Sequence, residues 1–271
     1  MMMKVACIQM KPVRFQVEEN LKRMTYFIEK AMKKKVDFIV FPELITSGYE
    51  CGKQFINMAE VATDSNSIRC ISKLAKKHSV NIIFGFPERD PYEGRIVYNS
   101  SVFIDDEGNL KGIYRKVHLF GKAEKEVFKA GDTYPVFDTS FGKIAMMICW
   151  DTAFPEVARI YALEGASIIF ISTNWENPYS DDWDLAIRSR AADNAIFVAG
   201  ANRVGKDDHL SFFGHSKIVS PTGKVMKALH TDEEGIVRAK LDLSSIEKLR
   251  NEYYTYFKDR RVDTYGKILD I

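Results

Sequence analysis

The sequence has little of what staples a chain, spans a bilayer or coats a polyanion. Its four cysteines, at positions 7, 51, 70 and 149, are scattered without a Cys-x-x-Cys pair, and no His-x-x-x-His spacing occurs. Neither a disulfide framework nor a metal site is expected from that pattern. No segment reaches the ~18 apolar residues that a membrane-spanning helix needs. The opening MMMKVACIQM also lacks a long apolar signal core, so the expectation is a cytoplasmic protein with no membrane partner. Neither sign of charge dominates: 39 Lys+Arg against 37 Asp+Glu leave a formal net charge of +2. A nucleic-acid partner then has no electrostatic support beyond local clusters such as Lys33–Lys35, which reads as a solvated helix end. No repeat, low-complexity linker or composition break divides the 271 residues, and a chain of this length can bury one large core. One domain over 1–271 is expected.

What the sequence does have is a series of short apolar runs rich in β-branched residues. They are KVACIQM, DFIVFPE, NIIFGFPE, NSSVFID, KIAMMICW, SIIFIST, IFVAGANR and HSKIVSP, each of strand length. Between several of them lie helical patterns. In EENLKRMTYFIEKAMKKK, Leu21, Met24, Ile28 and Ala31 recur at helical spacing with charges opposite; SNSIRCISKLAKKHS does the same with Ile68, Ile71, Leu74 and Ala75. PEVARIYALEG opens on Pro155 and closes on Gly165, the start and stop signals of a helix. These are β-α-β units. DDEGNL (105–110) and SPTGKV (220–225) instead join neighbouring runs as hairpin loops do, so the sheets are mixed. Strands apolar almost throughout are covered on both faces, which points to an α/β fold of two packed sheets with helices outside. The stretch 250–271 is aromatic and basic without a clear period. It reads as an extended tail at the interface of a homodimer or larger homo-oligomer.

In KIAMMICWDTAFPE (143–156) a cysteine ends an apolar run just before a helix begins. Cys149 is either a small core residue or a nucleophile in a strand-to-helix turn, where a helix N-terminus favours the thiolate. In DFIVFPELITSGY, Glu43 follows a proline that cannot extend a ladder. It is a solvated strand end or a carboxylate aimed into a cleft. GIYRKVHLFG carries Arg115, Lys116 and His118; in a strand, Lys116 and His118 share one face. The segment is either a basic edge strand or the source of a cation for the thiol and an oxyanion. A Cys149–His118 dyad competes with that second role.

Taken together, FPEL with Glu43, YRKVHLF with Lys116 and ICWDTAFPE with Cys149 resemble the three signature motifs of the nitrilase, or carbon–nitrogen hydrolase, superfamily. Each motif alone is weak, but their order and spacing agree with that family from KVACIQM to RRVDTYG. The resemblance implies a four-layer α-β-β-α sandwich, a dimeric or larger assembly, and a Glu-Lys-Cys triad with no metal or cofactor. It implies that Cys149 attacks an amide carbon, Glu43 takes its proton, and Lys116 and the Trp150 backbone N–H stabilise the oxyanion. His118 falls to a structural role. A second active-site glutamate seven residues before a glycine is implied at Glu124, before Gly131, with Glu126 as the nearby rival. Tyr49 in TSGY, and Asn174 and Trp175 in ISTNW, are implied as pocket walls. The ammonium beside Glu43 is expected to favour the thiolate of Cys149.

Relatives that act on substrates with a free carboxylate commonly carry an Arg a few residues after the cysteine. Here Thr152 and Ala153 follow, and no cation appears until Arg159. That departure points away from N-carbamoyl amino acids and toward neutral aliphatic amides or N-carbamoylated amines. The expected activity is hydrolysis of a small amide through a cysteine thioester, releasing ammonia or an amine. A nitrilase is the enzymatic alternative, since resemblance does not separate the two. A non-catalytic assembly protein with a redox-sensitive Cys149 is the other.

Overall fold

Alternation along the strands sorts side chains onto two faces, and the computed structural model, which describes residues 1–269, shows what each face meets. The chain runs β1 (Met2–Gln9), α1 (Val17–Met32), β2 (Phe38–Val40), α2 (Phe55–Met58), α3 (Asn66–His78), β3 (Asn81–Arg89), β4 (Val97–Ile104) and β5 (Leu110–Arg115). It continues through α4 (Gly121–Lys125), β6 (Val136–Thr139), β7 (Gly142–Ile148), α5 (Pro155–Leu163), β8 (Ile168–Thr173), α6 (Ser180–Asn194) and β9 (Phe197–Asn202). The last part adds β10 (Val204–Lys206), β11 (Ser211–Phe213), β12 (Lys217–Val219), β13 (Val225–Ala228), β14 (Gly235–Asp242), α7 (Ser244–Glu252) and α8 (Tyr256–Asp259).

Two six-stranded sheets form, in the orders β14-β1-β2-β3-β4-β5 and β13-β12-β9-β8-β7-β6. β1, β2 and β3 run parallel, as do β7, β8 and β9, while the flanking pairs are antiparallel. Both sheets are therefore mixed, and the two expected hairpins join β4 to β5 and β12 to β13. Val5, Cys7, Phe38, Val40, Ile83 and Phe103 pack between the sheets against Met146, Ile168 and Phe170. Their sequence neighbours Ala6, Ile8, Ile39, Ile82 and Val102 pack outward with Leu21, Met24 and Ile28 of α1 and Ile68 and Ile71 of α3. Phe38 stacks on Phe170 at 5.1 Å and on Phe103 at 6.1 Å. Each such fully buried side chain contributes roughly 1.5–3 kcal/mol. On the far side, Val157, Ala158 and Tyr161 of α5 and Trp183, Ile187 and Ala191 of α6 cover the second sheet.

Two elements depart from the sequence reading. Helix α6 has no expectation behind it, because its buried face mixes Trp183, Ile187 and Ala191 with Arg190 and Asn194 while Leu185 faces outward. No apolar stripe marks it. The stretch 250–271 is not an extended tail over its described part: it makes short helical turns that fold back on the same chain. Phe257 lies under the guanidinium groups of Arg250, at 4.6 Å, and Arg159, at 5.1 Å, a cation–π arrangement that ties α8 to α5. Asp270 and Ile271 of that stretch lie outside the described residues.

Strand ends of both sheets meet at one place. Glu43 follows β2 and Lys116 follows β5 in the first sheet; Cys149 follows β7 and Asn174 follows β8 in the second. One glycine makes room for this. A Cβ on Gly85 of β3 would lie 2.4 Å from the Leu44 nitrogen and 2.8 Å from the Glu43 Cα, so any other residue would push the glutamate out of position.

Candidate active site

Lys116 is fully buried, an expensive place for an ammonium unless carboxylates surround it. Its Nζ donates to Glu43 Oε1 and to Glu124 Oε1, each at 2.8 Å, and both glutamates are buried as well. An ammonium carries three N–H groups. Two are spent on the glutamates, and the third has no acceptor among the described residues. Burial alone would lower the lysine's pKa, but Glu124 and Glu43 outweigh it and hold the ammonium well above its ordinary range.

Glu43 is fixed on both oxygens. Asn99 Nδ2 donates to Oε1 at 2.7 Å, and the Asn174 backbone N–H donates to Oε2 at 2.9 Å. Burial and the nearby Glu124 carboxylate push its pKa up, against the pull of Lys116 and Asn99. Glu124 is held by the Tyr49 hydroxyl at 2.7 Å and the Phe120 N–H at 2.9 Å. Tyr49 is itself anchored, because its N–H donates to Asp207 at 3.3 Å and Asp207 pairs with the buried Arg203 at 2.9 Å. Glu126, by contrast, is exposed on the other side of α4 and pairs with Lys122 at 3.6 Å. The structure brings Glu124 to the lysine and leaves Glu126 in solvent.

Cys149 opens a short 3-10 turn, Cys149–Ala153, between β7 and α5, with φ at +45°. A non-glycine residue in the left-handed region is uncommon and is held there by its surroundings. Asp151 does much of the holding: its carboxylate accepts from the Tyr114 hydroxyl at 2.8 Å, the Ile148 N–H at 3.1 Å and the His118 N–H at 2.9 Å. The Trp150 N–H lies in the first turn, where helical geometry provides no intrahelical acceptor.

The thiol reverses an expectation. Burial and then the Glu43 carboxylate push the Cys149 pKa well above its ordinary value, and the Lys116 ammonium only partly counters them. This balance favours the neutral thiol over the thiolate, because desolvation of the sulfur and two buried negative charges outweigh one positive charge. Lys116 and His118 do not act as a pair on one strand face either. β5 ends at Arg115, so the alternation stops before Lys116. His118 turns to Asp151, with Nδ1 at 2.9 Å from Oδ1, and stacks on Phe154 at 3.8 Å. His118→Ala is expected to cost less kcat than the ~100-fold scale of losing an oxyanion donor, because the His118 backbone N–H still holds Asp151. Steady-state kinetics beside a Lys116 variant check this, and a larger loss at His118 would restore the Cys-His dyad.

Cys149 opens into a cavity of about 690 Å³ walled by Phe120, Trp150, Trp175 and Tyr179, with Glu176 and Arg190 among the polar groups. Trp175 lines this space as expected. Tyr49 and Glu124 line a separate cleft of about 280 Å³ and not the cavity onto which Cys149 opens. Asn174 faces Glu43 with its backbone, and its side-chain amide has no partner among the described residues. Asn99, Asp151, Glu176 and Arg190 went unnoticed in the sequence. For Asn99, Asp151 and Glu176 the available signal was a polar residue inside or shortly after an apolar strand, which is hard to tell from a solvated strand face; Arg190 lies in α6, whose period is masked. Among the described residues no group of three or more His, Cys, Asp or Glu is placed to hold a metal ion, and no helix is long and apolar enough to cross a membrane.

Comparison with known proteins decides the family. A carbon–nitrogen hydrolase family model matches residues 4–251. The chain belongs to the carbon–nitrogen hydrolase family. It is 52% identical to a probable nitrilase of Schizosaccharomyces pombe, covering 98% of each chain. It is also 36% identical to a 2-oxoglutaramate amidase of Bacillus subtilis, over 96% of this chain and 98% of that one. Among solved structures, Nit3 of Saccharomyces cerevisiae, a nitrilase-superfamily member, superposes with a TM-score of 0.87 at 32% identity, covering 93% of this chain and 94% of the other. This carbon–nitrogen hydrolase thus has the α/β fold of two mixed sheets of its superfamily, and belongs with enzymes that act on amides or nitriles.

Proposed function

We propose that this carbon–nitrogen hydrolase cleaves a small amide through a thioester on Cys149. The observation that carries the reading is the buried Glu43–Lys116–Glu124 cluster beside the Cys149 thiol, with one lysine N–H to spare. Glu43, its basicity raised by burial, takes the thiol proton as sulfur attacks the carbonyl carbon. The free Lys116 N–H and the Trp150 N–H receive the oxyanion. Collapse breaks the carbon–nitrogen bond, and the proton on Glu43 leaves with the amine. A water molecule, deprotonated by the same carboxylate, then attacks the thioester, and the thiolate regains a proton as the acid departs.

A redox-sensing role for Cys149 fits poorly, because oxidation follows thiolate character and exposure, and this thiol is buried with a raised pKa. We propose further that the enzyme is a cytoplasmic homodimer; the large apolar side chains Leu163 of α5 and Leu185 of α6, both exposed, support a contact there. The amide reading is tested by acid-quenching the enzyme with a primary amide and weighing the intact protein. An acyl adduct on Cys149, and kcat/KM for the amide at least ~10-fold above that for the matching nitrile, are expected. Faster turnover of the nitrile would make the enzyme a nitrilase instead.

A further inference from the structure

Resting on the amide reading, we propose that Glu176 forms a cation subsite, so that the preferred substrate is an aliphatic amide whose far end carries a protonated amine. Glu176 lines the same cavity as Cys149 and is about nine-tenths buried. No Lys, Arg or His pairs with it among the described residues, although 18 such ion pairs form elsewhere; beyond its own backbone N–H and the more distant Lys116 ammonium, this carboxylate is left for a ligand to pair. Its position is fixed from both sides. The Glu176 backbone bridges to Phe212, and its carbonyl accepts from the Tyr179 N–H at 3.1 Å.

The chemistry of the walls agrees. A carboxylate only accepts hydrogen bonds, and burying one against an apolar or uncharged ligand leaves its charge uncompensated. An ammonium both donates and neutralises. Phe120, Trp150 and Trp175 form a continuous aromatic wall, with ring centroids 5.0 Å and 6.2 Å apart, and aromatic faces attract a cation. Asp182 at the mouth adds a second negative charge to the cavity lining. The cavity's one guanidinium is held through two of its three nitrogens. Arg190 Nε donates to the Thr152 carbonyl at 3.0 Å and Nη1 lies 3.3 Å from Asp193, so it braces the turn after the nucleophile. The space, about 690 Å³, also exceeds what an amide group alone would fill.

Three amides with the same tetramethylene chain test this: δ-aminovaleramide, hexanamide and adipamic acid, ending in ammonium, methyl and carboxylate. The native enzyme is expected to favour δ-aminovaleramide over both others by ~10-fold or more in kcat/KM. Glu176→Gln, nearly isosteric, is expected to erase that margin. The same three are titrated by calorimetry into Cys149→Ala, with and without Glu176→Gln, so that binding is read apart from chemistry. If δ-aminovaleramide binds most tightly and the margin vanishes with Glu176→Gln, the subsite stands even where no amide is turned over; in that case the thioester reading alone fails. Equal or tighter binding of hexanamide or adipamic acid by the Cys149→Ala protein, or a margin that survives Glu176→Gln, overturns the subsite.

Discussion

Cys149→Ala is expected to remove amide turnover by about 10⁴-fold or more while leaving the fold in place, the scale of deleting a covalent nucleophile. The two halves of that expectation rest on different observations. Loss of activity follows from Cys149 being the one cysteine, among the described residues, that lines the cavity beside the cluster. Retention of the fold follows from what Cys149 does not do. Its side chain borders an open cavity, so truncation seals off no new void, and alanine also carries a Cβ, so the left-handed backbone at φ +45° is strained no further. Ammonia release and thermal unfolding, measured on the same preparation, check both halves. Substantial residual turnover in a well-folded Cys149→Ala protein would remove the thioester from the mechanism.

Lys116→Ala is expected to lower kcat by at least ~100-fold, the cost of one oxyanion donor, and to destabilise the protein by about 3–5 kcal/mol, as when one partner of a buried ion pair is removed. The second effect feeds the first. Without the ammonium, the Glu43 and Glu124 carboxylates face each other in a buried site, and two like charges there cannot both stay ionised. A proton retained by Glu43 disables it as a base. The pKa of Glu43, already raised by burial, rises further, so residual activity should shift to higher pH than in the native enzyme. Kinetics across pH, run below the lowered melting temperature, read both consequences. Near-native kcat with an unshifted profile would exclude Lys116 from the chemistry.

The β-α-β units and hairpins were legible because local rules and tertiary packing agree there. Leu21, Met24, Ile28 and Ala31 are buried as their spacing requires, and Asp105 accepts from the Glu107 and Asn109 N–H groups in the turn that DDEGNL announces. The trio Glu43, Lys116 and Cys149 was legible as motifs. Other features were not, for physical reasons. Helix α6 buries Arg190 and Asn194 beside its apolar residues, which erases the period that identifies a helix. Asn99, which holds Glu43, sits mid-strand in β4, where a polar residue reads as solvent-facing until the opposite sheet is in view. The direction of the Cys149 shift depends on the balance of burial against two carboxylates and one ammonium, a three-dimensional sum that residue types alone do not contain.

The base and the cation belong to the first sheet, the nucleophile to the second, and no covalent feature other than the chain itself joins them. Hydrolytic competence therefore requires that the halves have closed on each other. A chain in which only one of the two sheets has formed holds the glutamate and lysine apart from the sulfur, and is chemically harmless until the sandwich shuts.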